Sequence, residues 1–143
     1  MLISFALASN TAILLMDEPT NGLDIEGKSK FRKLLTQAMT DQKTFIISSH
    51  QVKEVDRLLE HIIILGNNKI YLNESVTTIT EKLAFIESTG KTDSAEVLYS
   101  QPSVSGNSLI VNNTEQIDTE LNLELLYNAL SHNHTAIKEL FNN

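Results

Sequence analysis

The stretch Ala12-Ile13-Leu14-Leu15-Met16-Asp17-Glu18-Pro19-Thr20-Asn21-Gly22-Leu23-Asp24 runs from an unbroken apolar segment into two adjacent carboxylates and then into a loop punctuated by Pro19 and Gly22. A short apolar run without alternation suits a strand buried on both faces of a parallel sheet. Proline and glycine so soon after it end the strand and begin a turn. The carboxylates are therefore placed where the backbone leaves a sheet.

On the amino-terminal side, residues 1–8 read as the last turns of a helix, broken by Ser9-Asn10-Thr11. On the other side, Phe31, Leu34, Leu35, Ala38 and Met39 fall at helical spacing, giving an amphipathic helix with a basic outer face. Thr44-Phe45-Ile46-Ile47-Ser48 is rich in β-branched and aromatic residues and reads as a second strand. A strand, a helix and a parallel strand form a βαβ unit, which is right-handed almost by default.

Val52, Val55, Leu58 and Leu59 mark a further amphipathic helix, and residues 61–65 and 69–72 read as a hairpin around Gly66-Asn67-Asn68. The pattern is helical again over residues 75–87. A polar stretch rich in Ser, Thr and Asn follows at residues 88–107, with short strands expected at 95–99 and 108–111. Leu123, Leu126, Tyr127 and Leu130 give one helical face, and Ile137, Leu140 and Phe141 another. The tail is expected to be a small α+β appendage.

The whole sequence, 143 residues with 41% hydrophobic and 20% charged residues, has the composition of a globular chain of about one domain. A net charge of −7 argues against direct binding of a phosphate backbone. The absence of cysteine rules out a disulfide framework or a thiolate metal site. No apolar run approaches the roughly 18 to 20 residues needed to span a bilayer, and residues 1–7 lack the basic leader and cleavage site of a signal peptide. Membrane association is expected only through a partner.

In open α/β sheets, ligands sit outside the carboxyl ends of the strands. Two carboxylates there suit a phosphate-bound magnesium ion, a hard cation that takes oxygen ligands and keeps several waters. Asp17 would hold the metal, leaving Glu18 to orient and deprotonate the water that attacks a γ-phosphate. A bare Asp-Glu pair is more often a solvated turn, so the weight rests on its surroundings. The continuous stretch from Ala12 to Asp24 resembles the Walker B motif and following D-loop of ABC-type ATPases.

That resemblance implies further roles. Ser48-Ser49-His50 stands where the family has its switch histidine, whose imidazole can donate a hydrogen bond to a γ-phosphate oxygen. Asp24 matches an aspartate at the contact between two ATPase subunits, although an Asp before a helix is also an ordinary N-cap. His61, His132 and His134 show no metal-ligand spacing and are expected to be surface or packing residues. Gly90-Lys91-Thr92 imitates the end of the phosphate-binding loop G-x-x-x-x-G-K-[ST], but Phe85 stands where its first glycine belongs and the triplet follows the Walker B stretch. The family's Leu-Ser-Gly-Gly signature is also missing from these residues.

The resemblance covers residues 1–73 well, and residues 121–141 are similar to a carboxy-terminal extension of some bacterial ABC exporters' ATPase subunits. It implies an α/β fold with part of a RecA-like P-loop NTPase parallel sheet over residues 1–87, and an appendage over 88–143. It further implies an amino-terminally truncated ATP-binding subunit of an ABC transporter, an exporter, using ATP and Mg2+. Glu18 and His50 would be catalytic, Asp17 the metal ligand, and Asp17, Asp24 and His50 nucleotide contacts. Its partners would be a second ATPase subunit and a transmembrane permease at the inner face of the plasma membrane. The chain alone is expected to be inactive. One alternative is a soluble ABC ATPase of translation or DNA maintenance; translation-type members, however, read Asn-His-Leu-Asp where this chain has Asn21-Gly22-Leu23-Asp24. The other is a non-catalytic remnant acting as a binding module.

Overall fold

The computed structural model describes residues 2–51, 58–89, 97–132 and 135–141. The chain divides into two compact units, Met1–Leu58 and Leu59–Asn143. Together they make a mixed α/β protein.

In the first unit, helix α1 (Leu2–Ala8) leads to strand β1 (Ile13–Asp17), helix α2 (Ile25–Ala38) and strand β2 (Thr44–Ser48). The Ser9 hydroxyl donates to the Ala6 carbonyl at 2.6 Å, closing the end of α1, and Asn10 turns the chain at φ 51°. Strands β1 and β2 pair in parallel, with Ile13 opposite Thr44 and Asp17 opposite Ser48. The ladder runs one bond further at each end, Thr44 N–H to Ala12 O at 2.8 Å and Glu18 N–H to Ser48 O at 2.9 Å. This is the parallel pairing the sequence predicts.

Burial on both faces is not observed. Met16 is buried, whereas Leu15 is 72% and Ile46 49% exposed. Both faces of a parallel sheet disappear only when helices or loops cover each of them. Among the described residues this sheet has two strands, and its burial alternates as on a half-covered ribbon. Helix α2 likewise buries a narrower stripe than its pattern suggests. Phe31 and Leu35 are buried, while Leu34 and Met39 lie exposed on the flank.

Between β1 and α2 the chain makes two successive turns, Asn21 N–H to Glu18 O at 3.0 Å and Leu23 N–H to Thr20 O at 3.2 Å. Glu18 takes a left-handed backbone, φ 44°, and Gly22 another at φ 74°. Asp24 caps α2, accepting the Gly27 N–H at 2.7 Å.

In the second unit, strands β3 (His61–Gly66) and β4 (Lys69–Ser75) form the expected antiparallel hairpin. Its turn centres on Asn67 and Asn68, at φ 50° and 58°, the positive pair that a type I′ turn demands. Gly66 instead closes β3, where an added Cβ would come 2.3 Å from the Tyr71 ring. The expected helix from Val52 lies mostly outside the described residues.

Residues 75–87 do not form one helix. Helix α3 (Val76–Lys82) stops at Lys82, and strand β5 (Leu83–Ser88) begins at once. The cause is tertiary: Leu83, Ala84 and Phe85 pair with strand β7 (Gly106–Asn112), which also pairs with strand β6 (Val97–Ser103). The resulting antiparallel sheet has the order β5-β7-β6 and packs Ala84, Leu109 and Val111 into a core with Ile86 and Val97. Both short strands foreseen in the tail are thus present and longer than expected, while Ala95 lies outside the described residues.

Helix α4 (Leu123–Ser131) buries Leu123, Leu125, Leu126, Ala129 and Leu130. Tyr127, expected on that face, is 47% exposed. Helix α5 (Thr135–Phe141) buries Ile137 and is held at its end by Lys82 Nζ, which donates to the Leu140 carbonyl at 2.6 Å.

Candidate functional site

The register of β1 against β2 decides the site. With Asp17 opposite Ser48, the residues that follow each strand emerge side by side at the carboxyl ends. The Ser48 hydroxyl bonds Asp17 Oδ1, and the Ser49 hydroxyl lies 3.3 Å from Glu18 Oε2. His50 gives Glu18 Oε1 two bonds, from its backbone N–H at 3.0 Å and from ring Nδ1 at 2.6 Å. An ionised carboxylate only accepts, so Nδ1 carries the proton in this bond and Nε2 is left for a second partner.

The pair is accessible: the side chain of His50 is 67% exposed and that of Glu18 31%. The His50 side-chain bond is the largest effect on the Glu18 carboxyl; burial opposes it and is second in size, but with the His50 backbone bond, the His50 charge and the Ser49 hydroxyl added, the carboxyl is held below the usual carboxylate range. A carboxyl held below that range is ionised at neutral pH.

Asp17 and Asp24 occupy the positions expected of them in the chain, but they meet different partners. Asp24 is taken up as the N-cap of α2. Asp17 carries one serine hydroxyl on Oδ1. Among the described residues no cluster of three or more His, Asp or Glu side chains stands ready to hold a metal. A magnesium ion bound to a nucleotide needs only one or two protein carboxylates besides phosphate and water, so a lone Asp17 fits such an ion and would not fit an all-protein metal cage.

Two residues of the site, Ser48 and Ser49, were not singled out in the sequence as functional partners. Ser48 and Ser49 served only to locate His50, yet they supply the hydroxyls that meet the two carboxylates. In the loop after the carboxylates, Thr20 is 2% exposed, and its hydroxyl has no hydrogen-bond partner among the described residues. The other described histidines have local partners: His61 Nε2 meets Asn73 Oδ1 at 2.9 Å, and His132 Nδ1 meets the Asn128 carbonyl at 2.7 Å. His134 and the Gly90-Lys91-Thr92 triplet lie outside the described residues.

The chain is 31% identical over 94 residues to an uncharacterized ABC transporter ATP-binding protein of Methanocaldococcus jannaschii, covering 64% of this chain and 36% of that protein. The chain is homologous to ABC transporter ATP-binding proteins. The ABC transporter ATP-binding protein NatA of Bacillus subtilis is 34% identical over 79 residues, 55% of this chain and 32% of its own length. An energy-coupling factor transporter ATP-binding protein of Ligilactobacillus salivarius is 26% identical over 127 residues, 85% of this chain and 44% of its own. The chain thus spans about a third of the first two ABC proteins and less than half of the third. No protein-family model matches it. Among the described residues, no helix is long and apolar enough to cross a membrane.

Proposed function

We propose that this chain is the carboxy-terminal part of the ATP-binding subunit of an ABC transporter. Residues 1–87 would belong to the ATPase domain and 88–143 to its extension, working with a second ATPase subunit and a membrane permease at the cytoplasmic face of the membrane. The observation that carries the reading is the parallel register of β1 and β2, which brings Glu18 Oε1 within 2.6 Å of His50 Nδ1. A solvated turn after a strand has no reason to meet a histidine 32 residues later in the chain.

Asp17 would hold a magnesium ion, commonly through water; the ion, when bound with ATP, would neutralise phosphate charge. Glu18, fixed on both oxygens, would orient the attacking water. His50 would meet the γ-phosphate through Nε2, since Nδ1 is engaged, and donation from both nitrogens requires the doubly protonated ring. Asp24 would stand at the contact with the second subunit while capping α2. The resemblance of residues 121–141 to exporter extensions supports an export role.

The test uses an ATPase chain containing this segment. Glu18→Gln keeps shape and removes the carboxylate, so MgATP binding should persist while turnover falls about a hundredfold or more. Turnover near the parent's value would assign water activation elsewhere.

A further inference from the structure

The ends of the two strands match polar residues to polar residues. Two consecutive carboxylates, Asp17 and Glu18, meet two consecutive hydroxyls, Ser48 and Ser49, in the same order along the sheet. We propose that Ser48 and Ser49 are positioning residues, Ser48 fixing the carboxylate of Asp17 and Ser49 that of Glu18. The proposal rests on the ATPase reading for its functional meaning, but its geometry stands apart from it.

The register supplies the argument. Asp17 and Ser48 are partners in the parallel ladder, and the bond from Glu18 N–H to Ser48 O at 2.9 Å carries that register past the strand end. A slip by one residue would bring Ile47 opposite Asp17 and take the hydroxyl partner from that carboxylate. Ser49 is fixed in turn, because its Oγ accepts the Gln51 N–H at 3.0 Å. That bond alone would make Ser49 an ordinary turn residue. Its proton, however, points the other way, to Glu18 Oε2. With His50 on Oε1 and Ser49 on Oε2, each oxygen of Glu18 has a donor, so a change of its side-chain rotamer, beginning at the Cα–Cβ bond, must break at least one contact. For Asp17, a hydroxyl on Oδ1 sets the direction in which the other oxygen faces. Displacing a reacting group by about 1 Å can cost on the order of a hundredfold in rate, so fixing these rotamers matters to chemistry the serines never touch.

The test is nuclear magnetic resonance on the 143-residue chain without nucleotide. Hα–Hβ couplings should report a single side-chain rotamer for both Asp17 and Glu18. Ser49→Ala should collapse the Glu18 couplings to rotamer-averaged values while leaving those of Asp17, and Ser49→Thr, which keeps the hydroxyl, should restore them. Ser48→Ala should do the reverse. Averaged couplings at Glu18 in the unaltered chain, unchanged couplings in Ser49→Ala, or failure of Ser49→Thr to restore them would overturn the proposal. Should Ser49→Ala lose amide dispersion and so fail to fold, Glu18→Gln decides. The Gln51 amide, bonded to the bridging Ser49 oxygen, must then shift, and an unmoved Gln51 resonance would overturn the bridge. No readout involves ATP, so failure here leaves the ATPase reading standing, and failure of that reading leaves these couplings unchanged.

Discussion

His50 Nδ1 and the His50 backbone N–H converge on a single oxygen, Glu18 Oε1, at 2.6 and 3.0 Å. The ring contact is the largest cause of the lowered Glu18 pKa. A carboxyl held below its ordinary value binds fewer protons folded than unfolded. Its contact therefore stabilises the fold above the ordinary carboxylate pKa, and that contribution is lost as pH falls through the folded value. His50→Ala should move the Glu18 midpoint upward, toward the ordinary value, in a carboxyl carbon titration. A midpoint that stays put would show that the ring does not hold the carboxylate.

Glu87 offers the same sign of pH dependence in the second unit. Ser103 and then Ser108 donate to its two oxygens, and these bonds lower its pKa. Ser103→Ala should raise the Glu87 midpoint and lower the melting temperature at neutral pH. The difference from the unaltered chain should shrink below the folded pKa, where both chains carry a protonated Glu87. An equal difference at acid and neutral pH would mean that packing, not the carboxylate, is responsible.

The interior of the second unit separates two neighbours on α4. Leu126 is fully buried, whereas Tyr127 is 47% exposed. Leu126→Ala should cost about 2–5 kcal/mol, from lost transfer energy and the cavity left behind. Tyr127→Ala should stay within about 0.5 kcal/mol. Denaturant unfolding monitored by α4 amides would check both, and equal costs would contradict the assigned helix face.

At the site itself, Asp17 and Glu18 present negative charge to a polyanion, and the 143 residues contain no G-x-x-x-x-G-K-[ST] stretch to cradle phosphates. The chain alone should bind MgATP with a Kd weaker than about 1 mM, equivalent to about 4 kcal/mol. Calorimetry should accordingly give no saturable isotherm, and phosphate release should not exceed that of Glu18→Gln. Micromolar affinity would require a phosphate site elsewhere in these residues.

The strands of the first unit were legible because their signals are local: an apolar run ending in Asp17, and a β-branched run ending in Ser48. The meeting of Glu18 with His50 followed from placing both just past parallel strands. The break after Lys82 was not legible. Ile79, Leu83 and Ile86 satisfy a helical period, and only pairing with β7, which sets Leu83 opposite Asn112, makes Leu83 and its neighbours a strand. Exposure of Leu15 and Ile46 was hidden for the opposite reason, since an apolar run records what a strand can bury and not what covers it. The roles of Ser48 and Ser49 depend on register, which single residues do not announce.

Glu18 also stands in the left-handed backbone region at φ 44°, where an L side chain costs roughly 1–2 kcal/mol and glycine nothing. Continued extended backbone would send Asp17 and Glu18 to opposite faces; the turn instead lets both carboxylates reach the end of β2. Backbone strain alone would thus draw a redesign toward Glu18→Gly or Glu18→Asn, whereas the bonds to His50 favour keeping the carboxylate, so the acidic centre is a point where backbone preference and side-chain chemistry oppose each other.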